Sequence, residues 1–177
     1  VCKNKRIKRN KVFKEIAQLG KSTMGYFYGF KLHLVINDKG EILNFAITQA
    51  NVDDREPLKK ERFLKDKFGK LFGDKGYISK EISNILFVDG IHLITSIRNN
   101  MKNSLMDMND KIHLRKRSVI ETVNDELKNM CQVEHSRHRS IGNFFTNLIA
   151  GLIAYSFFPK KPSITHNIFV SNELTLF

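Results

Sequence analysis

Lys70-Leu-Phe-Gly-Asp-Lys-Gly-Tyr77 is a short apolar run that ends in Gly-Asp-Lys-Gly. Bounded by turn residues, it reads as a buried strand whose carboxyl end delivers Asp74 into a tight turn. Open α/β sheets place their chemistry at the carboxyl ends of strands. The glycines on either side of Asp74 permit a sharp bend or the close approach of a ligand. Asp and Gly also dominate ordinary turns, so a plain turn Asp accounts for the octet equally well when it is taken alone.

Working outward, the neighbours of this strand alternate in type. Downstream, Lys80 to Phe87 has helical character and His92 to Ile97 reads as another strand, leaving Lys70 to Asp74 as the central one. Upstream, Tyr26 to Ile36 alternates Phe30, Leu32, Leu34 and Ile36 with Lys31, His33 and Val35, a half-buried strand with His33 on its more polar face. Asn37-Asp-Lys-Gly40 is a hairpin signal that joins it to a partner strand over Glu41 to Thr48. Asp54 to about Lys67 is expected to be a helix with Leu58, Phe63 and Leu64 inward. Asn99 to Lys111 is polar and is expected to be an irregular surface loop. An antiparallel pair followed by α/β elements predicts a mixed sheet flanked by helices. At 177 residues the chain suits one domain with a real core, and it contains no internal repeat or Gly-rich phosphate loop.

A second informative stretch is Leu114-Arg-Lys-Arg-Ser-Val-Ile-Glu-Thr-Val-Asn-Asp-Glu-Leu-Lys128. Read as one α-helix turning about 100° per residue, it sets Arg117, Glu121 and Lys128 on one face. Val119, Ile120, Val123, Leu127 and Met130 fall on the other side as a core-facing stripe. A Glu flanked by Arg and Lys at this spacing is usually a solvated, salt-bridged face. It is also a good way to aim a metal-binding carboxylate at a phosphate backbone.

Taken together, the two stretches resemble the bacterial insertion-sequence transposases of the DDE class. Gly73-Asp74-Lys-Gly-Tyr77 followed by Arg117-x3-Glu121-x6-Lys128 carries the resemblance. Gly25-Tyr-Phe-Tyr-Gly-Phe-Lys-Leu-His-Leu-Val-Ile-Asn-Asp38 looks like the second core strand of that family. Ile47-Thr-Gln-Ala-Asn-Val-Asp-Asp-Arg-Glu-Pro-Leu58 looks like the strand-to-helix join after it. The likeness runs from about the first residue to about Pro162. It implies a ribonuclease H-like fold and three carboxylates that hold two Mg²⁺ ions, with Mn²⁺ as a substitute, for phosphodiester hydrolysis and strand transfer. By resemblance, Asp74 is the second carboxylate and Glu121 the third, both catalytic and metal-binding, while Arg117 and Lys128 contact DNA. Leu114 stands where the family often has a Tyr. The partners implied are element ends and target DNA, with a homodimer assembled on DNA.

The family's first carboxylate belongs to a strand ahead of the Gly-Phe-Lys-Leu-His strand. No Asp or Glu precedes Glu15, and Lys11-Val-Phe-Lys-Glu-Ile-Ala17 reads as a linker or short helix. The first catalytic Asp is therefore expected to be missing, in an N-terminally truncated C-terminal portion that is inactive by itself, since two-metal chemistry needs all its bridging ligands. Asp38 reads as a hairpin residue, Asp53, Asp54 and Glu56 as helix-start residues, and Asp125 as a surface residue beside Glu121. The expected organisation is a basic arm over residues 1–20, the catalytic domain over 21–160 and an irregular tail over 161–177.

Charge agrees with an anionic partner: the net charge is +12, which favours nucleic acid. Seven Lys or Arg and no acid occupy the first fourteen residues, as a DNA-tracking arm or simply a solvated end. His135-Ser-Arg-His-Arg139 is a second basic cluster without the spacing of a zinc site. Cys2 and Cys131, the only cysteines, lack metal-ligand spacing and suit a reduced cytosolic setting. The apolar stretch Ile141 to Phe158, stopped by Pro159, is expected to be a buried helix covering the sheet rather than a membrane span. The rival to a transposase is a non-enzymatic basic DNA-binding remnant. An unrelated RNA-binding protein is weakened by the lack of an aromatic stacking motif.

Overall fold

The computed structural model describes residues 2–3, 7, 10–22, 25–96, 106–134 and 138–164. The long alternating segment is strand β3, Gly25–Ile36, and the hairpin partner is β4, Ile42–Gln49. They pair antiparallel from Phe30 opposite Gln49 to Ile36 opposite Ile42, with a register shift at Val35/Ile36. The turn between them is held by Asn37, whose Oδ1 accepts from the backbone N–H of Lys39 and Glu41. Gly40 supplies the positive φ of 72° that ends this turn. Two shorter strands, β1 (Cys2–Lys3) and β2 (Gln18–Ser22), pair antiparallel with the first half of β3 and complete a four-stranded sheet.

Beyond β4 the expected helix over residues 54–67 is two short pieces, a 3₁₀ turn at Glu56–Lys59 and α1 at Glu61–Leu64. Lys60 between them is extended, with ψ of 114°, so the helix is interrupted. The break still buries Leu58, Phe63 and Leu64, the three residues expected inside. Next come β5 (Gly69–Gly73), α2 (Lys80–Val88) and β6 (Ile91–Thr95). Ser79 caps α2 by accepting from the Ile82 N–H. β5 and β6 are parallel, Gly69 opposite Ile91, as a strand–helix–strand crossover requires. The expectation that β5 is the central strand is corrected. Among the described residues it pairs with β6 alone, in a separate two-stranded sheet.

Three helices follow: α3 (Met108–Lys116), α4 (Val119–Asn129) and α5 (Ile141–Ser156). The expected loop over residues 99–111 is thus corrected at its end, where α3 begins; its residues 99–105 lie outside the described residues. The sheet is covered on both faces. Leu32, Leu34, Ile36 and Ile42 pack against Val123 and Leu127 of α4 and Leu152 and Tyr155 of α5. Val35 and Ala46, on the opposite face, pack against the cluster of Leu58, Phe63, Leu64, Ile82, Leu86 and Ile91. Covering both faces is why His33 is buried, at 9 % exposure, rather than on the surface as its polar neighbours suggested. Its Nε2 hydrogen-bonds Thr48 Oγ1 at 2.8 Å. Burial lowers its pKa, with the charge of Asp54 opposing and that of Lys31 assisting.

The segment set apart as a basic arm contributes to the core where it is described. Phe13 and Ala17 are buried against Tyr28, whose hydroxyl donates to the Phe13 carbonyl at 2.9 Å. Phe13, Phe30 and Phe144 form a three-ring cluster, with centroids 5.3–5.9 Å apart. Val12, Phe13, Ile16 and Ala17 have helical apolar spacing that the surrounding lysines obscure. Residues 4–6 and 8–9 of the arm, 135–137 of the second basic cluster and 165–177 of the tail lie outside the described residues. The apolar stretch forms α5 as expected, capped by Ser140. Its Tyr155 hydroxyl donates to the Gly40 carbonyl at 2.7 Å, and burial pushes the phenol up to about 12. Among the described residues no helix is long and apolar enough to cross a membrane.

Candidate active site

Alternate residues of a strand point the same way, so Lys70, Phe72 and Asp74 share one side of β5 and its extension. Residues three and four apart share one face of a helix, so Asp110, His113 and Arg117 share one side of α3 and its C-terminal cap. The two rows meet rung by rung. Lys70 Nζ binds Asp110 Oδ1 at 2.7 Å. The rings of Phe72 and His113 stack with centroids 5.0 Å apart. Arg117 Nη1 binds Asp74 Oδ1 at 2.8 Å. This ladder carries the end of the strand to the start of the Glu121 helix.

Asp74 itself is extended, with φ of −76° and ψ of 166°, and it caps the 3₁₀ turn Lys75–Tyr77. Its Oδ1 also accepts from the Lys75 N–H at 2.6 Å. The Arg117 guanidinium, and then the Lys75 amide, hold its carboxyl below the usual carboxylate range. Its side chain is 62 % exposed. A ligand can therefore reach the carboxylate from solvent.

Arg117 does not lie on the same helix as Glu121 and Lys128, which corrects the reading of Leu114 to Lys128 as one helix. It is the C-cap of α3, and Ser118 is the N-cap of α4. At the junction the Ile120 and Glu121 amides bond back three residues, to the Arg117 and Ser118 carbonyls. The cause is burial. Asp110 and Leu114 are buried in α3, and Val123 and Leu127 in α4. Leu114 and Val123 are nine residues apart, about half a turn out of phase on a continuous helix. A break at 117–118 lets each helix turn its own side inward. Met130, expected in the inward stripe, is 66 % exposed. It caps α4 past the last turn that packs on the sheet.

The salt-bridged-face reading of the Glu121 helix is not what forms. Arg117 pairs with Asp74, and Lys128 Nζ lies 3.4 Å from Glu134 Oε1. Glu121 is exposed in the first turn of α4 and has no ion-pair partner among the described residues. The acids expected at the helix start after β4 are committed: Asp53 to Arg55 at 2.6 Å, Asp54 to Lys31 at 2.8 Å and Glu56 to Lys59 at 3.2 Å. Asp53 is held well below the usual carboxylate range, first by the Arg55 hydrogen bond.

Asp110, Lys70, Phe72 and His113 were not singled out by the sequence. The inner face of α3 carries one buried apolar residue, Leu114, so it leaves no apolar period to detect. Carboxylate oxygens suit a hard divalent cation such as Mg²⁺, and in that respect Asp74 and Glu121 fit one. Among the described residues no group of three or more His, Cys, Asp or Glu gathers to hold a metal ion.

A family model described as transposase DDE domain matches residues 1–141. The chain belongs to that family. The match takes in the whole strand–helix ladder, Asp74, Arg117, Glu121 and Lys128, and reaches the first residue of α5. No curated protein and no solved structure matches the chain. The transposase DDE domain is thus recognised here by its sequence pattern, and the mixed α/β architecture is consistent with it.

Proposed function

We propose that this transposase DDE domain acts in DNA transposition, as a ribonuclease H-like catalytic unit in which Asp74 and Glu121 bind Mg²⁺, with Mn²⁺ as a substitute. The observation that carries the reading is the Asp74–Arg117 ion pair, which ties the two acidic motifs together across 43 residues of chain. Two-metal chemistry needs a further bridging ligand beside these two carboxylates. When bound, two metal ions activate a water or a DNA 3′-hydroxyl and stabilise the departing oxygen. Arg117 and Lys128 steer phosphates to the carboxylates. The +12 charge favours DNA over neutral substrates. Element ends and target DNA are the partners, held by a homodimer on DNA.

The test is nicking of DNA that bears the element's ends, in Mg²⁺, by this chain expressed with the coding sequence that precedes Val1. Glu121→Gln and Asp74→Asn should each abolish the product while leaving DNA binding in place, with the melting temperature unchanged in Glu121→Gln and lowered by no more than a few degrees in Asp74→Asn, which loses the Arg117 pair. Nicking that survives Glu121→Gln would sink the assignment. A non-enzymatic DNA binder would instead give strongly salt-dependent binding and no metal-dependent product.

A further inference from the structure

We propose that the outward side of α5 is an interface between two copies of this chain, formed without DNA. The helix turns Leu148, Gly151, Leu152 and Tyr155 into the core. Outside, every fourth residue is large and apolar: Ile141, Phe145, Ile149, Ile153 and Phe157 are exposed by 38, 36, 44, 52 and 82 %. Residues four apart form a continuous ridge on a helix. Beside it runs a second exposed row of small residues, Gly142, Thr146, Ala150 and Ala154. A ridge of large side chains next to a row of small ones is self-complementary, because the ridge of one helix fits the groove of another. A two-fold axis near the Ile149–Ile153 step would bring the two ridges together.

Area and charge both favour a second copy as the occupant. The ridge exposes on the order of 500 Å² of apolar surface per copy, at the upper end of what a monomer leaves bare. Two copies would bury about 1,000 Å², the lower bound of a specific interface. No charged residue occurs from Ile141 to Phe158, so two chains of charge +12 can meet here without opposing like charges. The same lack of cations distinguishes this side from a lipid-binding helix, whose polar face is rich in Lys and Arg. It also offers nothing to an acidic partner.

Light scattering of the 177-residue chain without DNA should give twice the 20.5 kDa monomer mass at high concentration, falling towards the monomer on dilution. Ile153→Glu should weaken the dimer by on the order of 30-fold or more and leave the melting temperature of the dilute, monomeric chain close to that of the parent, because the side chain is half exposed. In a Cys2→Ser, Cys131→Ser background, Ile153→Cys should join two copies through a short thiol cross-linker, and Phe87→Cys should not. Phe87 is the control because Phe68, Phe87 and Val88 are also bare, at 89, 72 and 85 %. A chain that stays monomeric at every concentration, with or without binding lipid vesicles, overturns the proposal. So does a dimer that survives Ile153→Glu or cross-links through Phe87→Cys.

Discussion

Asp74 and Glu121 are held in opposite ways. Asp74 sits at the end of a polar ladder in which every rung is a charge pair or a ring stack. Glu121 rides on a helix anchored from behind by Val123 and Leu127, at 0 and 1 % exposure, and among the described residues its carboxylate has no ion-pair partner. Apolar burial is non-directional and strong, so it can place a helix while leaving the outward side chain free. Ion pairs are directional, and their strength depends on exposure. Asp74 is thus placed by contacts that titrate and screen, Glu121 by contacts that do neither. The two should respond differently to mutation, pH and salt.

The largest expected effect is on the apolar anchor. Leu127→Ala should cost about 2–5 kcal/mol of unfolding free energy, read as a lowered urea midpoint. Amide exchange should rise along α4, while α3 and β5 are less affected. Equal loosening of both would show that the two carboxylates share one support. Next is the first rung of the ladder. Lys70→Met leaves the buried Asp110 carboxylate without its cation and should cost about 1–3 kcal/mol. It should loosen α3 and the Arg117–Asp74 contact before α4. Asp110→Asn in the same background should recover most of the loss. No recovery would mean that Lys70 acts through something other than its charge.

The same contrast explains what could be foreseen. β3, β4, α2, β6 and α5 follow apolar period and turn chemistry, and each appears within a residue or two of the expected place. Asp74 was legible because a strand ending in Gly-Asp-Lys-Gly has a pattern of its own. α3 was not legible, because Asp110, His113 and Arg117 face the strand through charge and ring stacking, which leave no apolar stripe. Arg117 and Glu121 were expected on one helix because spacing alone cannot reveal that Leu114 and Val123 must both be buried. The burial of His33 was hidden for a related reason. Only tertiary packing shows that a second layer covers the more polar face of β3.

The His33 pair offers a pH test on that covered face. A histidine whose folded-state pKa is lowered by burial is favoured neutral in the native state. The contribution is therefore fully present above the unfolded value of about 6.5 and is lost as pH falls through the folded value. Between those two values stability should decline as pH falls, by at most about 1.4 kcal/mol per pH unit for this single proton, and the decline should level off below the folded value. His33→Gln should remove the slope. An unchanged slope in the variant would assign it to another group.

The smallest expected effect on stability bears most directly on the site. The folded-state carboxyl of Asp74 is lowered, chiefly by Arg117. Its pair thus stabilises the fold above the ordinary carboxylate range, and the benefit vanishes as pH falls through the lowered value. Because the carboxylate is exposed, Arg117→Gln should cost no more than about 1 kcal/mol at neutral pH. The informative readout is the carboxyl carbon of Asp74 by NMR. Its titration should move up towards the ordinary range in Arg117→Gln. High salt should reproduce part of the Asp74 shift, since the pair is screened. An Asp74 titration unmoved by losing Arg117 would mean that the Lys75 amide alone holds the carboxylate, and that the last rung of the ladder contributes nothing to the site.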